Sequence, residues 1–409
     1  MAAHAKLSPS GAHRWMACPG SIVLEADLPD TSSAYAREGT AAHELAAMVL
    51  EDPSSMASDY VGKKISFDDH GEAVLWPITK EMAEYVDDYV KFVRERAQGK
   101  SLHVECKLGI GHLTQEAGAT GTSDVVIIDR EQEAIEVIDL KYGMGVRVDA
   151  ENNEQMQLYA LGALEEYSLV TDFSWVTMVI HQPRLNHVSE WNIPVDQLQK
   201  FGSVVQEAAG NVQLAQSLDM TDLDDDLVKG FLTPGEKQCR FCKAKATCPA
   251  LRAEITEIVG GQATLAEFEP QVVDSQTGDN YLPMAMAKVG MVEDWCKAVR
   301  AEVERRLLAG KTVDGYKLVE GRKGNRAWSD EAAVEQLFKS FRLRQEEMYD
   351  FKLISATKAE KLLKENPKRW AKTEKLITRN DGKPSVAPAT DKRPALDVKP
   401  VLDDFQGLL

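Results

Sequence analysis

The chain has 409 residues, of which 44% are hydrophobic and 28% charged, enough for a sizeable core spread over two or three domains. Its formal net charge of −17, from 65 acidic and 48 basic residues, excludes a generally basic nucleic-acid coat, although local charge still decides groove contacts. No apolar run approaches the ~18–20 residues that span a bilayer, and Met1 to Trp15 lacks a signal peptide's apolar stretch, so a cytoplasmic chain with no membrane partner is expected.

Residues 1–30, with Pro9, Pro19 and Pro29, read as an irregular cap holding one short helix. Ala42, Leu45, Ala46 and Val49 share one face of a helix predicted over about Ala34–Glu51. Met82, Tyr85, Val86, Tyr89 and Val93 do the same over about Thr79–Gln98. The period then changes. Leu102–Leu108, Ser123–Asp129 and Ala134–Lys141 are short, rich in Val and Ile, and separated by charged or glycine-containing turns, so they read as strands. A helix over about Glu151–Glu166 and a strand at Ser174–His181 follow. This order predicts a mixed sheet with helices packed on it, an α/β core of two or three layers.

Residues 195–217 read as helical, and the acidic stretch 222–226 with Pro234-Gly235 marks a break before three clustered cysteines. Residues 280–310 form a second helical region. From Lys311 to Arg379 there are 17 basic against 11 acidic residues, and the last 30 residues contain four prolines. The chain is thus expected to divide into an α/β domain over 1–260, a helical, locally basic domain over 261–380 and an extended tail over 381–409. It has no internal repeat.

Asp124 falls near the start of one predicted strand, and Asp139 and Lys141 at the end of the next. Residues two apart on a strand share a face, so Asp139 and Lys141 lie side by side. Pairing through the turn at 129–133 sets Asp124 opposite Asp139. Two carboxylates and an ammonium at one sheet end suit a divalent cation such as Mg²⁺, which takes oxygen ligands and makes bound water a better nucleophile. The alternative is ordinary strand-end charge. The apolar strand ahead of Asp139 and the glycine turn after Lys141 weigh against it, because charges at a buried strand's end need partners.

Gly121-x-x-Asp124, then Asp139-Leu140-Lys141, then Gln155-x-x-x-Tyr159 resembles the RecB-type branch of the PD-(D/E)XK nucleases. The upstream Gly39-Thr-Ala-Ala-His43-Glu44 resembles that branch's glycine-to-histidine helix motif. The resemblance covers roughly residues 10–250 and implies a restriction-endonuclease-like core, a mixed sheet flanked by helices. It implies that His43, Asp124, Asp139 and the Leu140 carbonyl bind two Mg²⁺ or Mn²⁺ ions, with Glu105 a further candidate ligand. Lys141 would be the catalytic lysine, and Gln155 and Tyr159 would contact DNA or brace the site. Without the resemblance, His43 reads as a helix histidine, and Gln155 and Tyr159 as positions on a packing helix.

The chain has six cysteines, and Cys239-x2-Cys242-x5-Cys248 groups three of them. In the cytoplasm such thiols are metal ligands or reduced thiols rather than disulfides. Cys18 is the candidate fourth ligand, and Cys106 and Cys296 read as buried thiols. Four thiolates suit Zn²⁺ or an iron–sulfur cluster; one distant cysteine with a trio, rather than two close pairs, favours the cluster. This arrangement resembles the iron–sulfur nucleases of the AddB and CRISPR-adaptation type, which implies a [4Fe–4S] cluster stapling the two ends of the nuclease domain.

Gly321-Arg-Lys-Gly-Asn-Arg326-Ala-Trp328 interleaves basic residues with glycine and a ring, suited to a phosphate backbone with Trp328 free to stack; the alternative is a solvated hairpin. The lysine-rich stretch 355–375 reads as a solvated helical surface, and Asp403-Asp404-Phe405 as a candidate docking peptide. The overall order resembles a phage and prophage family of unassigned function, which implies a bacterial host cell and phage DNA metabolism. The function expected is a metal-dependent DNA exonuclease in phage recombination or replication, working with DNA and with a single-strand-binding or annealing protein. The alternative is a non-catalytic DNA-binding scaffold that keeps the fold and the cluster.

Overall fold

The structure, a computed structural model, describes residues 5–29, 33–69, 71–220, 226–260, 278–321, 327–349, 353–364, 366–378, 382–388 and 393–396. The chain divides into two compact units, Met1–Trp295 and Cys296–Leu409.

In the first unit two short helices, α1 (Ala12–Trp15) and α2 (Ser21–Glu25), precede the long α3 (Ala34–Glu51). A hairpin of β1 (Lys64–Asp69) and β2 (Glu72–Pro77) leads to α4 (Lys80–Arg96). Then come β3 (Ser101–Gly109), α5 (Gly111–Thr114), β4 (Thr120–Asp129), β5 (Ala134–Leu140), α6 (Glu154–Glu166), β6 (Trp175–Gln182), β7 (His187–Pro194) and α7 (Val195–Ala215). The helices α8 (Asp226–Phe231), α9 (Glu236–Arg240), α10 (Pro249–Gly260) and α11 (Gly278–Leu308) follow. Polar side chains start three helices where the sequence offers them. Ser33, Thr79 and Asn153 each accept a backbone N–H from the first turn of α3, α4 and α6, at 3.1 Å.

The five strands β3 to β7 form one sheet in chain order. Every pairing is antiparallel except β5 with β6, which are parallel and joined through α6. Alternation along the central strands fills both faces. Val126, Ile128, Ile135, Val137, Val176 and Met178 pack with Leu158, Leu161, Val205 and Val212 of α6 and α7. Val125, Ile127, Ile138, Leu140 and Val179 pack with Leu45, Val49, Val86 and Val90 of α3 and α4. Each such side chain contributes about 1.5–3 kcal/mol by leaving water. The result is a mixed α/β fold, a five-stranded mixed sheet flanked by helices.

The alternation breaks on β3, and on β4 beside it, where Asp124 reaches His43 of α3 although Val126 packs with α6. Leu102 and Val104 face α3 and α4, whereas Cys106 and Leu108 face α6. Glu105 between them has φ 49°, and neither it nor Asp124 takes part in the β3–β4 register. The register stays one-for-one across it, Val104 with Val125 and Cys106 with Ser123, so the backbone turns over locally without an inserted residue.

The sequence reading missed β1, β2 and β7. The hairpin turns at Asp69 to Gly71, a legible signal. β7 is a sheet edge with alternating half-buried and exposed residues, too polar to stand out from a loop.

In the second unit β8 (Tyr316–Gly321), β9 (Ala327–Trp328), α12 (Glu331–Ser340), α13 (Gln345–Met348), α14 (Ala356–Leu363), α15 (Pro367–Glu374), β10 (Ile377–Thr378) and β11 (Gly382–Pro388) follow in order. Val334, Phe338, Phe341, Met348, Ile354, Ala359 and Leu363 form its core. β11 pairs with β8, so residues 382–388 of the stretch expected to be an extended tail form a strand. No helix among the described residues is long and apolar enough to cross a membrane.

Candidate functional site

The end of β5, the middle of β4 and the start of α6 bring the candidate residues together beside the inner strands of the sheet. The last β4–β5 pair is Val125 with Ile138, so Asp124 leaves the ladder where Asp139 would face it. Asp124 Oδ2 accepts the Leu140 N–H at 2.7 Å, and its Oδ1 lies 2.9 Å from His43 Nδ1 on α3. Lys141 Nζ lies 2.9 Å from Asp139 Oδ2 and donates to Gln155 Oε1 at 2.9 Å. Gln155 Nε2 in turn reaches Asp139 Oδ1 at 3.4 Å and Tyr159 Oη at 3.1 Å. His43, Glu105, Asp124 and Leu140 line one narrow cleft with Ala47 and Tyr89. All of the expected site residues therefore meet in one neighbourhood.

The charges there are strongly perturbed. Burial works against the His43 imidazolium, but the charge of Asp124 and its hydrogen bond, with Asp139 behind it, push the ring up to about 9. Burial raises Asp124 too, but His43, the Leu140 N–H and Lys141 outweigh it and hold the carboxyl below its ordinary value. Asp139 goes the other way: burial and the Asp124 charge outweigh Lys141. Burial, then Asp124, Glu44 and Glu51, raise Glu105 to about 7. Carboxylates perturbed in this way within a cleft are candidates for a functional site. Among the described residues no three His, Cys, Asp or Glu side chains are gathered at metal-ligand spacing. Each aspartate is instead drawn to a cation, Asp124 to His43 and Asp139 to Lys141.

The donor set fits a divalent ion. Carboxylate oxygens and a carbonyl are the hard ligands such ions prefer, and the buried Asp139 Oδ2 already faces one cation, Lys141 Nζ at 2.9 Å.

Around this core lie residues the sequence reading missed. Arg184 pairs with Glu38 at 3.0 Å and sits over the Tyr142 ring at 4.8 Å. Buried Gln182 accepts the Val148 N–H at 2.7 Å and donates to the Val146 carbonyl at 3.0 Å. Their partners are distant in sequence or belong to the backbone, so no local pattern announces them.

A second neighbourhood gathers the cysteines. Cys18, Cys239, Cys242 and Cys248 line one cavity with Leu24, Leu232, Pro234 and Leu251. All are free thiols. Burial pushes the Cys18 thiol up to about 11, with Cys248 and Cys239 adding to it. Burial raises the other three as well. Backbone N–H groups of Thr233, Gly235 and Leu251 point at the sulfurs of Cys18, Cys239 and Cys248 at 3.4, 3.4 and 3.5 Å. One buried and three half-buried thiols with such donors fit a thiolate-bound metal or cluster, whose sulfurs accept hydrogen bonds. Glu25, unremarked in the sequence, ties the region together: it accepts the Lys243 N–H at 2.6 Å and pairs with Arg14 at 3.1 Å. Cys106 is buried, but Cys296 is only half-buried, against expectation.

Trp328 is not free to stack. Its ring packs edge-on against Phe338, and its Nε1 donates to the Ile354 carbonyl at 3.1 Å, so it serves the core of the second unit. Residues 322–326, 403–405 and 222–225 of the basic, docking and acidic stretches lie outside the described residues.

A solved structure described as "Crystal structure of SSO0001" is similar over 59% of this chain and 85% of its own, at 12% identity and a TM-score of 0.27. A score of that size carries no argument about fold or activity. A family model matches residues 4–394, and the chain accordingly belongs to the family DUF2800, described as a protein of unknown function.

Proposed function

We propose that the protein is a metal-dependent DNA nuclease with a RecB-like, restriction-endonuclease-type core, acting as an exonuclease in phage DNA recombination or replication. The observation that carries this reading is the continuous chain of contacts from His43 through Asp124 and the Leu140 N–H, and from Asp139 through Lys141 and Gln155 to Tyr159. His43, Asp124, Asp139, the Leu140 carbonyl and Glu105 would hold two Mg²⁺ or Mn²⁺ ions. Bound there, the ions supply Lewis-acid polarisation of the phosphodiester and an activated water.

The protein's own residues do the rest. Lys141 presents an ammonium where charge develops on the phosphate. Gln155 fixes that ammonium from one amide atom and Asp139 from the other. The Tyr159 hydroxyl holds the Gln155 amide in that orientation. Such positioning matters because a catalytic group displaced by an ångström loses much of its effect.

The second neighbourhood supports a [4Fe–4S] cluster on Cys18, Cys239, Cys242 and Cys248, with zinc as the alternative. A cluster there supplies a crosslink between residue 18 and residues 239–248, closing a long loop. The Arg14–Glu25–Lys243 contacts already align the two segments.

The test uses linear duplex DNA with Mg²⁺ or Mn²⁺. Asp139→Ala and Lys141→Ala are each expected to lower cleavage by at least about a hundredfold, the size typical of losing one electrostatic donor. Folding is expected to persist by circular dichroism. Cleavage by both variants at the wild-type rate rules the site out. DNA binding without cleavage by the wild type favours the scaffold alternative.

A further inference from the structure

The segment that follows Lys141 has features the nuclease chemistry does not use. Tyr142 is 3% exposed, under Arg184 and edge-on to Tyr85. At the other end Gln182 grips Val146 and Val148, and Ala150 N–H donates to Ser189 Oγ at 2.9 Å. Both ends of the loop are therefore fixed. Between them Gly143, Met144, Gly145, Val146 and Arg147 stand exposed. Met144 is 57% and Val146 46% exposed, although they are the apolar residues of a tightly held loop.

The two glycines have no internal reason to be glycine. Neither has a left-handed φ, and a Cβ on either would meet nothing within 4 Å. Glycine lets a backbone come close to a ligand, and these two leave their side of the loop bare. The loop starts at Tyr142, next to Lys141, so whatever approaches it lies beside the scissile phosphate.

We propose that residues 143–147 form a fixed wedge that meets the terminal base pair of duplex DNA, Met144 and Val146 against the base faces and Arg147 against the neighbouring phosphate. This rests on the nuclease reading. Apolar side chains such as methionine enter base steps and unstack them at a cost of a few kcal/mol, and a loop held at both ends can supply that force without itself giving way. An exposed apolar pair beside a lysine and followed by an arginine suits a base face bordered by phosphate. It does not suit a protein groove, where the apolar patch would be broader.

The test places 2-aminopurine in the last base pair of a duplex and adds the full-length protein with Ca²⁺, which supports binding without digestion. The wild type is expected to brighten the probe. Met144→Ser/Val146→Ser is expected to lose that rise while binding the duplex, as read by anisotropy. Gly145→Val, whose Cβ meets nothing in the fold, is expected to lose it too. No brightening by the wild type, or full brightening by the double variant, overturns the wedge. Brightening confined to single-stranded DNA overturns it in favour of a single-strand contact. Digestion in Mg²⁺ is read separately. Loop-dependent brightening without digestion sinks the nuclease reading alone, and digestion without brightening sinks the wedge alone.

Discussion

Gly121 and Gly39 occupy equivalent-looking motif positions for opposite physical reasons. A Cβ on Gly121 would lie 2.5 Å from Pro9 Cγ and 2.9 Å from Tyr159 Cε1, so the glycine is demanded by the packing of the residue that orients Gln155. Gly121→Val is expected to lower stability by roughly 1–3 kcal/mol, as overpacking does, read as a fall in the denaturant midpoint. Gly39 sits one helical turn before His43 on α3, and a Cβ there would touch nothing. Gly39→Ala is therefore expected to stabilise the protein by about 0.5–1 kcal/mol. The same methyl narrows the approach to His43 and is expected to slow cleavage; an equal or faster rate would show that the gap has no use. The site residues were legible because their spacing is local to each element: Asp139 and Lys141 two apart on a strand, Gln155 and Tyr159 four apart on a helix. Gln182, Arg184 and Glu25 were not, because each acts on a partner from another element.

Among the elements, the central strands and long helices announce themselves by period, and they carry most of the sheet. The left-handed residue Glu105 does not, since nothing in the residue type requires that backbone. Yet it is at Glu105, beside Asp124, that β3's alternation reverses. Glu105→Gly is expected to relieve about 1 kcal/mol of backbone strain, measurable as a higher denaturant midpoint. In the second unit, the part of α11 from Cys296 onward ends in a small charge device. Hydrogen bonds from Arg305, joined by Arg306, hold the Glu302 carboxyl at about 2 against an ordinary 4.5. A depressed acid stabilises only while ionised, so this contribution is complete above about 4.5 and is lost as the pH falls towards about 2. Glu302→Gln is expected to remove that acid dependence from the helical signal, at a cost below about 1 kcal/mol.

For the whole molecule, the charge of −17 conceals an uneven distribution, with a basic excess between residues 311 and 379. That excess was legible, but the role given to Trp328 was not, because an aromatic ring that stacks on bases and one that fills a core look alike in sequence. The cysteine site admits a global test. Anaerobically purified protein is expected to be brown, with iron and sulfide in proportion. Cys18→Ala is expected to lose the colour and to melt at a lower temperature, because the staple across residues 18–248 goes with it. A colourless protein carrying stoichiometric zinc would decide for the alternative metal.

The Glu25 clasp also fixes an order of events at the ribosome. Its partners, the Lys243 N–H and the segment bearing Cys239 to Cys248, leave the exit tunnel more than 200 residues after Glu25 itself. At about 5–20 residues per second that is a delay of at least ten seconds. Every strand of the sheet, the last ending at Pro194, has by then emerged. The nascent chain can thus assemble His43, Asp124, Asp139 and Lys141 while its amino-terminal cap still hangs open. Closure of the Glu25 clasp therefore follows the assembly of the sheet.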